Sequence, residues 1–361
     1  MPDFHTPLCD LLGCRYPIVQ TGMGWVTGSE LVAATANAGG FGFLAGATIA
    51  AERIESEIVR VRELTGDKPF GLNFHMFQPN ATQLLDLAVK HRVRAVSYGR
   101  GPDKKVIGRL RDDGIVCMPT VGALKHAQKA IEMGANVITI QGAEGGGHTG
   151  SVPTTVLLPQ VVDAVKVPVV AAGGFYDGRG LLAALAYGAQ GIAMGTRFLM
   201  TSDNRVPAAT LERYLQVRDA EKIQVSYLVD GMPQRMIPNE YLAMLEKASP
   251  LRRLRLALRL ALAYRAQTGM TGTQALKAMW SGLREDASSV AQTVMAANAP
   301  MLLQRSMVEG KPAEGVMSAG QVAALIGRLQ SCQEVIEGII GQARARRDAL
   351  MAIGTVEGSH V

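Results

Sequence analysis

Residues 167–198 read VPVVAAGGFYDGRGLLAALAYGAQGIAMGTRF, and this stretch decides the fold. The opening run Val167-Pro168-Val169-Val170-Ala171-Ala172 is apolar on every side chain, as in a strand covered on both faces of a parallel sheet. Gly173-Gly174 ends it, Asp177-Gly178 opens a helix rich in Leu and Ala, Gly188 closes that helix, and a second apolar run begins at Gly191. Working outward, the same alternation recurs. Short apolar or β-branched runs at 17–20, 40–45, 70–74, 95–98, 116–121, 137–141, 167–172 and 191–198 predict strands. Between them, 28–38, 50–65, 81–92, 103–113, 123–134, 155–166 and 178–188 have helical spacing, with an eighth helix after Val206. Eight βα units in about 200 residues predict an α/β fold, a closed (β/α)₈ TIM barrel rather than an open doubly wound sheet.

Beyond about residue 240 the β-branched runs give way to Leu, Ala, Met and Arg at helical spacing. The expected organisation is a cofactor-binding barrel over 1–240 and a helical C-terminal extension over 241–361 that covers the substrate side. Hydrophobic residues make up 48% of the 361 and charged residues 19%, which excludes intrinsic disorder. A formal net charge of +6 marks a cationic surface. Aromatics at 5% and the lack of a polybasic tail point to a small anionic ligand rather than nucleic acid. Cys9, Cys14, Cys117 and Cys332 are scattered without metal or disulfide spacing, and the histidines form no ligand motif, so no metal is expected. The N-terminus has no cationic segment before an apolar stretch, and no uncharged apolar run reaches the roughly 18 residues of a spanning helix. A cytoplasmic protein with no membrane partner is expected, and a homo-oligomer is compatible with the sequence.

In this fold the reacting groups sit on the loops after the strand C-termini. The first such loop is Gln20-Thr21-Gly22-Met23-Gly24-Trp25, whose glycines suit either a tight βα turn or the approach of backbone to a flat ligand. The seventh and eighth strands run into Gly173-Gly174 and Gly195-Thr196-Arg197, the usual phosphate-binding place of the fold, with help expected from a helix N-terminus near Asp177-Gly178. The sixth runs into Gln141-Gly142-Ala143-Glu144-Gly145-Gly146-Gly147-His148-Thr149-Gly150. Its Gly145-x-Gly147-x-x-Gly150 matches a dinucleotide fingerprint in letters only, because Pro153 follows and no helix opens there. His148 sits among glycines that give it access to a bound substrate, and imidazole is a competent acid or base near neutral pH.

These residues resemble the nitronate monooxygenase family, FMN-dependent (β/α)₈ barrels formerly called 2-nitropropane dioxygenases, which also include enoyl reductases and NAD(P)H:quinone reductases. The likeness covers about residues 7–240. Its motifs are Pro17 to Gly24, Gly39-Gly40-Phe41-Gly42, Asn73, Gln141 to Gly150, Ala172-Gly173-Gly174, Met194 to Phe198, and Gly231-Met232-Pro233-Gln234-Arg235 with Asn239. The resemblance implies that Gly22, Met23 and Gly24 line the isoalloxazine ring. It implies further that Asn73 and Gln141 hydrogen-bond the flavin, that Gly147 belongs to the cofactor loop, and that Gly173, Gly174, Gly195 and Thr196 hold the FMN phosphate. His148 falls on the family's catalytic histidine.

The bulky Met23-Gly24-Trp25-Val26 and the long C-terminal extension depart from the simpler members. They look most like an actinobacterial branch acting on CoA thioesters in steroid ring C/D degradation. Trp25 would then face substrate. Arg197, Arg252, Arg255 and Arg259 would meet CoA phosphates, although the last three equally fit a solvated helix face. The expected activity is hydride transfer between flavin N5 and a carbon α or β to a carbonyl of a bicyclic steroid-derived acyl-CoA, with His148 as acid/base and NAD(P)H as an optional electron donor. Three alternatives share the same loops: nitronate oxidation by O₂, NAD(P)H:quinone or enoyl reduction, and non-catalytic flavin or acyl-CoA binding.

Overall fold

A computed structural model of the chain describes residues 4–76, 78, 80–99, 101–249 and 299–353. These residues divide into two compact units: the first takes Met1–Gly145, Gly150–Arg205 and Ile326–Val361, the second Gly146–Thr149 and Val206–Leu325. Residues 206–240, read above as part of the barrel segment, thus pack in the second unit, and the C-terminal helix packs in the first.

The first unit is a closed barrel. Its strands are β1 (Ile18–Gln20), β2 (Phe41–Ala45), β3 (Gly71–Phe74), β4 (Ala95–Tyr98), β5 (Val116–Val121), β6 (Ile138–Gln141), β8 (Val169–Ala172) and β9 (Gly191–Met194). Every neighbour is parallel, and Val19 opposite Ala193 closes the ring between β1 and β9. The uninterrupted apolar runs are explained by this arrangement, since β2, β4, β8 and β9 are buried at every position. Leu8 and Leu12 of α1 (Pro7–Leu12) join Val19, Phe41, Phe43, Val170 and Ala193 in one buried cluster. A second cluster lies under α3 (Ile54–Thr65), α4 (Ala81–Lys90) and α5 (Lys104–Asp112). Further βα helices are α2 (Ser29–Asn37), α6 (Leu124–Glu132), α7 (Thr154–Ala164) and α8 (Gly178–Ala186).

The eighth strand ends earlier than the sequence suggests. Gly195 turns to φ −96° and ψ −70°, and Thr196–Leu199 form the short helix α9 instead of continuing the strand. The long C-terminal helix α13 (Cys332–Ile353) buries Val335, Ile336, Ile339, Ile340 and Ala343 along one stripe and packs on α8 and α2.

The second unit holds an antiparallel sheet of β10 (Gln224–Ser226), β11 (Gln234–Met236) and β7 (Gly147–His148). Helices α10 (Ala208–Gln216), α11 (Glu240–Lys247) and α12 (Ala299–Met307) accompany it, and Val229, Met236, Leu242, Leu302 and Val316 form its buried cluster. None of the described helices is long and apolar enough to cross a membrane.

Candidate active site

The loop after β1 meets β3 and the loop after β9 through side-chain-free positions. A Cβ added at Gly22 would overlap the side chain of Asn73, which is held in turn by Nδ2 donating to the Ser97 carbonyl at 3.1 Å. At Gly195 an added Cβ would lie 3.1 Å from Thr21 Oγ1 and 3.4 Å from Met23 Sδ. Gly24 abuts Thr48, whose hydroxyl accepts the Trp25 N–H at 2.9 Å. Trp25 itself sits at φ +65°, a conformation that bulky L-residues rarely adopt, and its side chain is half-buried. Gln141 at the end of β6 lies where only a glycine at 145 leaves room for its side chain.

Gly173 and Gly174 continue β8 at φ +91° and +86°. Around Gly173 space is tight, with the Gly142 backbone 2.9 Å and Thr154 Oγ1 3.1 Å from an added Cβ. Gly174 is exposed and would have nothing nearer than the Glu144 side chain at 3.7 Å. Glu144 is turned away to α7, accepting the Thr154 N–H at 3.1 Å and lying 2.8 Å from its hydroxyl. The two glycine turns and the short helix α9 reproduce the loop-and-helix arrangement in which (β/α)₈ barrels hold phosphate.

The helix N-terminus expected to help at Asp177-Gly178 is already satisfied. Gly178 N–H donates to Gln342 Oε1 at 3.1 Å, and Arg179 and Gly180 donate to Asp177 Oδ1 at 3.1 and 3.3 Å. Arg197, read above as a candidate for CoA phosphate, is a buried residue. Its side chain is only 4% exposed, Nη2 reaches Gln330 Oε1 at 3.3 Å, Nε has no partner, and burial pulls the guanidinium down to about 10. Arg252, Arg255 and Arg259 lie outside the described residues.

His148 stands in β7 rather than in an open loop. Its register partner is Gln234 of β11, Gly147 pairs with Arg235, and Thr149 N–H donates to the Pro233 carbonyl at 3.1 Å. The imidazole is 54% exposed, while its partner Asp230 is 2% exposed, and Nε2 lies 2.7 Å from Asp230 Oδ2. Gln234 Nε2 lies 3.1 Å from the same ring nitrogen and donates to Asp230 Oδ2. The other carboxylate oxygen accepts the Met232 N–H at 3.0 Å. Asp230 and Gln234 were not singled out in the sequence as site residues. The family-like run beginning at Gly231 pointed to their neighbourhood, but the pairing spans 82 positions and exists only through the strand register.

The donor set fits a flat cofactor with a phosphate tail: bare backbone after β1, β8 and β9, and amide side chains at Asn73 and Gln141. Fold and site together define a (β/α)₈ oxidoreductase with a glycine-lined cofactor end. The nitronate monooxygenase family model matches residues 5–86 and 80–342, and the chain belongs to this family of flavin-dependent oxidoreductases. It is 46% identical to the (3aS,4S,5R,7aS)-5-hydroxy-7a-methyl-1-oxo-octahydro-1H-indene-4-carboxyl-CoA dehydrogenase of Rhodococcus jostii (strain RHA1), over 98% of this chain and 99% of the relative. The protein of the same name from Mycobacterium tuberculosis is 46% identical over 93% of this chain and 95% of its own. Among solved structures, FabK from Thermotoga maritima superposes with a TM-score of 0.76 at 28% identity, covering 96% of this chain and 99% of FabK.

Proposed function

We propose that this protein binds FMN and dehydrogenates a bicyclic, steroid-derived acyl-CoA at the carbons α and β to its thioester carbonyl. The observation that carries this reading is 46% identity, over 98% of the chain, to a relative named as a dehydrogenase of such a thioester. The glycine turns supply the physical side. Gly173, Gly174, Gly195 and Thr196 hold the phosphate, Gly22, Met23 and Gly24 line the ring, Asn73 and Gln141 hydrogen-bond it, and Gly147 leaves the adjoining loop unobstructed.

When bound, the flavin supplies a two-electron acceptor at N5. The chain's own contribution is orientation and the proton. A thioester carbonyl acidifies the α C–H, and His148 removes that proton as the β-hydride departs; in the reductive direction, with NAD(P)H as donor, the same imidazole returns it. Trp25, beside the ring-lining glycines, shapes the space for the fused bicycle.

Anaerobic additions to the yellow protein test this reading. A 5-hydroxy-7a-methyl-1-oxo-octahydroindene-4-carboxyl-CoA should bleach the flavin absorbance. Bleaching by a nitronate and not by the thioester would overturn it in favour of nitronate oxidation, the second reading, which the family match favours. Bleaching only by NADH or NADPH would instead point to a reductase.

A further inference from the structure

We propose that Asp230 is the positioning residue of His148: it holds the ring as the Nε2–H tautomer and thereby makes Nδ1 the nitrogen that exchanges the substrate proton. This inference rests on the acid/base role proposed above and adds to it the partner and the atom.

Three observations carry it, all within the second unit. First, Nε2 lies 2.7 Å from Asp230 Oδ2, a charge-assisted distance, and the carboxylate is 2% exposed while the imidazole is 54% exposed. A carboxylate can only accept, and the Gln234 amide, which also lies 3.1 Å from Nε2, donates to the same Asp230 Oδ2; we therefore place the shared proton on Nε2 and the ring's lone pair on Nδ1. Second, the carboxylate is itself fixed, by the Met232 N–H on Oδ1 at 3.0 Å and by the Gln234 amide on Oδ2. Third, the backbone carrying the imidazole is pinned by the β7–β11 register, which sets His148 opposite Gln234. The charged residue of the facing strand β11, Arg235, sends Nη1 to the Ile223 carbonyl at 2.8 Å.

An imidazole whose far nitrogen is given to a buried carboxylate is held in one tautomer and one ring orientation, and the imidazolium formed on proton uptake is met by the adjacent negative charge. When the α C–H bond breaks, the proton arrives on Nδ1. Nε2–H stays on Asp230, and the positive charge on the ring is neutralised without moving a heavy atom.

The test uses the full chain with flavin bound and ¹⁵N-labelled histidine, comparing wild type, Asp230→Asn and Asp230→Glu. Long-range ¹H–¹⁵N spectra of neutral His148 should show protonated Nε2 in the wild type. In Asp230→Asn the new amide donates to Nε2 and moves the proton to Nδ1. With the hydroxy-oxo-indane carboxyl-CoA as probe, kcat should fall roughly 10- to 100-fold in Asp230→Asn with KM little changed, and Asp230→Glu should recover part of it. A wild-type ring protonated on Nδ1, or a tautomer unchanged in Asp230→Asn, overturns the proposal. A changed tautomer with unchanged turnover leaves Asp230 as the partner of His148 and removes the acid/base reading instead.

Discussion

Alanine at residue 173 would meet two obstacles at once, a backbone φ of +91° and the Gly142 main chain 2.9 Å from its methyl group. The left-handed region alone costs about 1–2 kcal/mol for an L-residue. Gly173→Ala should therefore weaken FMN binding by at least about tenfold, read by fluorescence quenching, or shift the loop enough to leave the purified protein colourless. His148→Ala should keep its flavin and slow turnover by about 10² to 10⁴, the usual contribution of a placed acid or base. Loss of colour in that variant would make His148 structural. Arg197 has a different expectation. Its folded-state pKa lies below the ordinary guanidinium value because burial disfavours the charged form, so the neutral-pH fold does not gain from the charge. Arg197→Met should leave the flavin-free protein at least as stable in urea, whereas a loss of several kcal/mol would show that the Gln330 contact holds the fold.

At the scale of elements, the βα alternation was readable because buried parallel strands are apolar on both faces and their helices begin and end at Asp, Gly and Asn signals. Strands β4 and β5 coincide with their sequence ranges, the other barrel strands differ by a few residues at the ends, and β7, β10 and β11 were not read as strands. The largest departure was at Gly195, where an apolar run continues in sequence while the backbone turns into α9. Periodicity could not reveal that bend, because α9 has only four residues and buries Arg197, Phe198 and Leu199 in a row, the pattern expected of a covered strand. Nor could it pair His148 with Asp230, since a two-residue strand carries no period of its own. Where α13 crosses α8, Gly178 brings the backbones together, and a methyl group there would overlap Ala343 N and the Ile339 carbonyl. Gly178→Ala should destabilise the first unit by about 1–3 kcal/mol, seen as a lower urea midpoint with unchanged slope.

For the whole molecule, the sequence disclosed one barrel and one helical extension but not the way the chain is shared between two units. Each unit is assembled from separated segments, and a contiguous reading of residues has no signal for that. Ligand linkage offers a test at this scale. A cofactor gripped by its phosphate at the glycine turns stabilises the native state by about 2.7 kcal/mol at 100 times its Kd. FMN should raise the calorimetric transition of the flavin-free protein by roughly 5–10 °C, while riboflavin, lacking the phosphate, should do much less. Equal shifts from both would mean that the phosphate is not held.

The excursion Gly146–Thr149 leaves Gly145 and returns at Gly150, contributing only Gly147 and His148 to a sheet. Alternate residues of a strand point to opposite faces, so parity governs which of the two stands opposite Gln234. Deleting one glycine from 145–147 would put threonine where the imidazole belongs or turn the ring to the reverse side. Tolerance for length change in this segment should thus be far lower than its glycine content suggests.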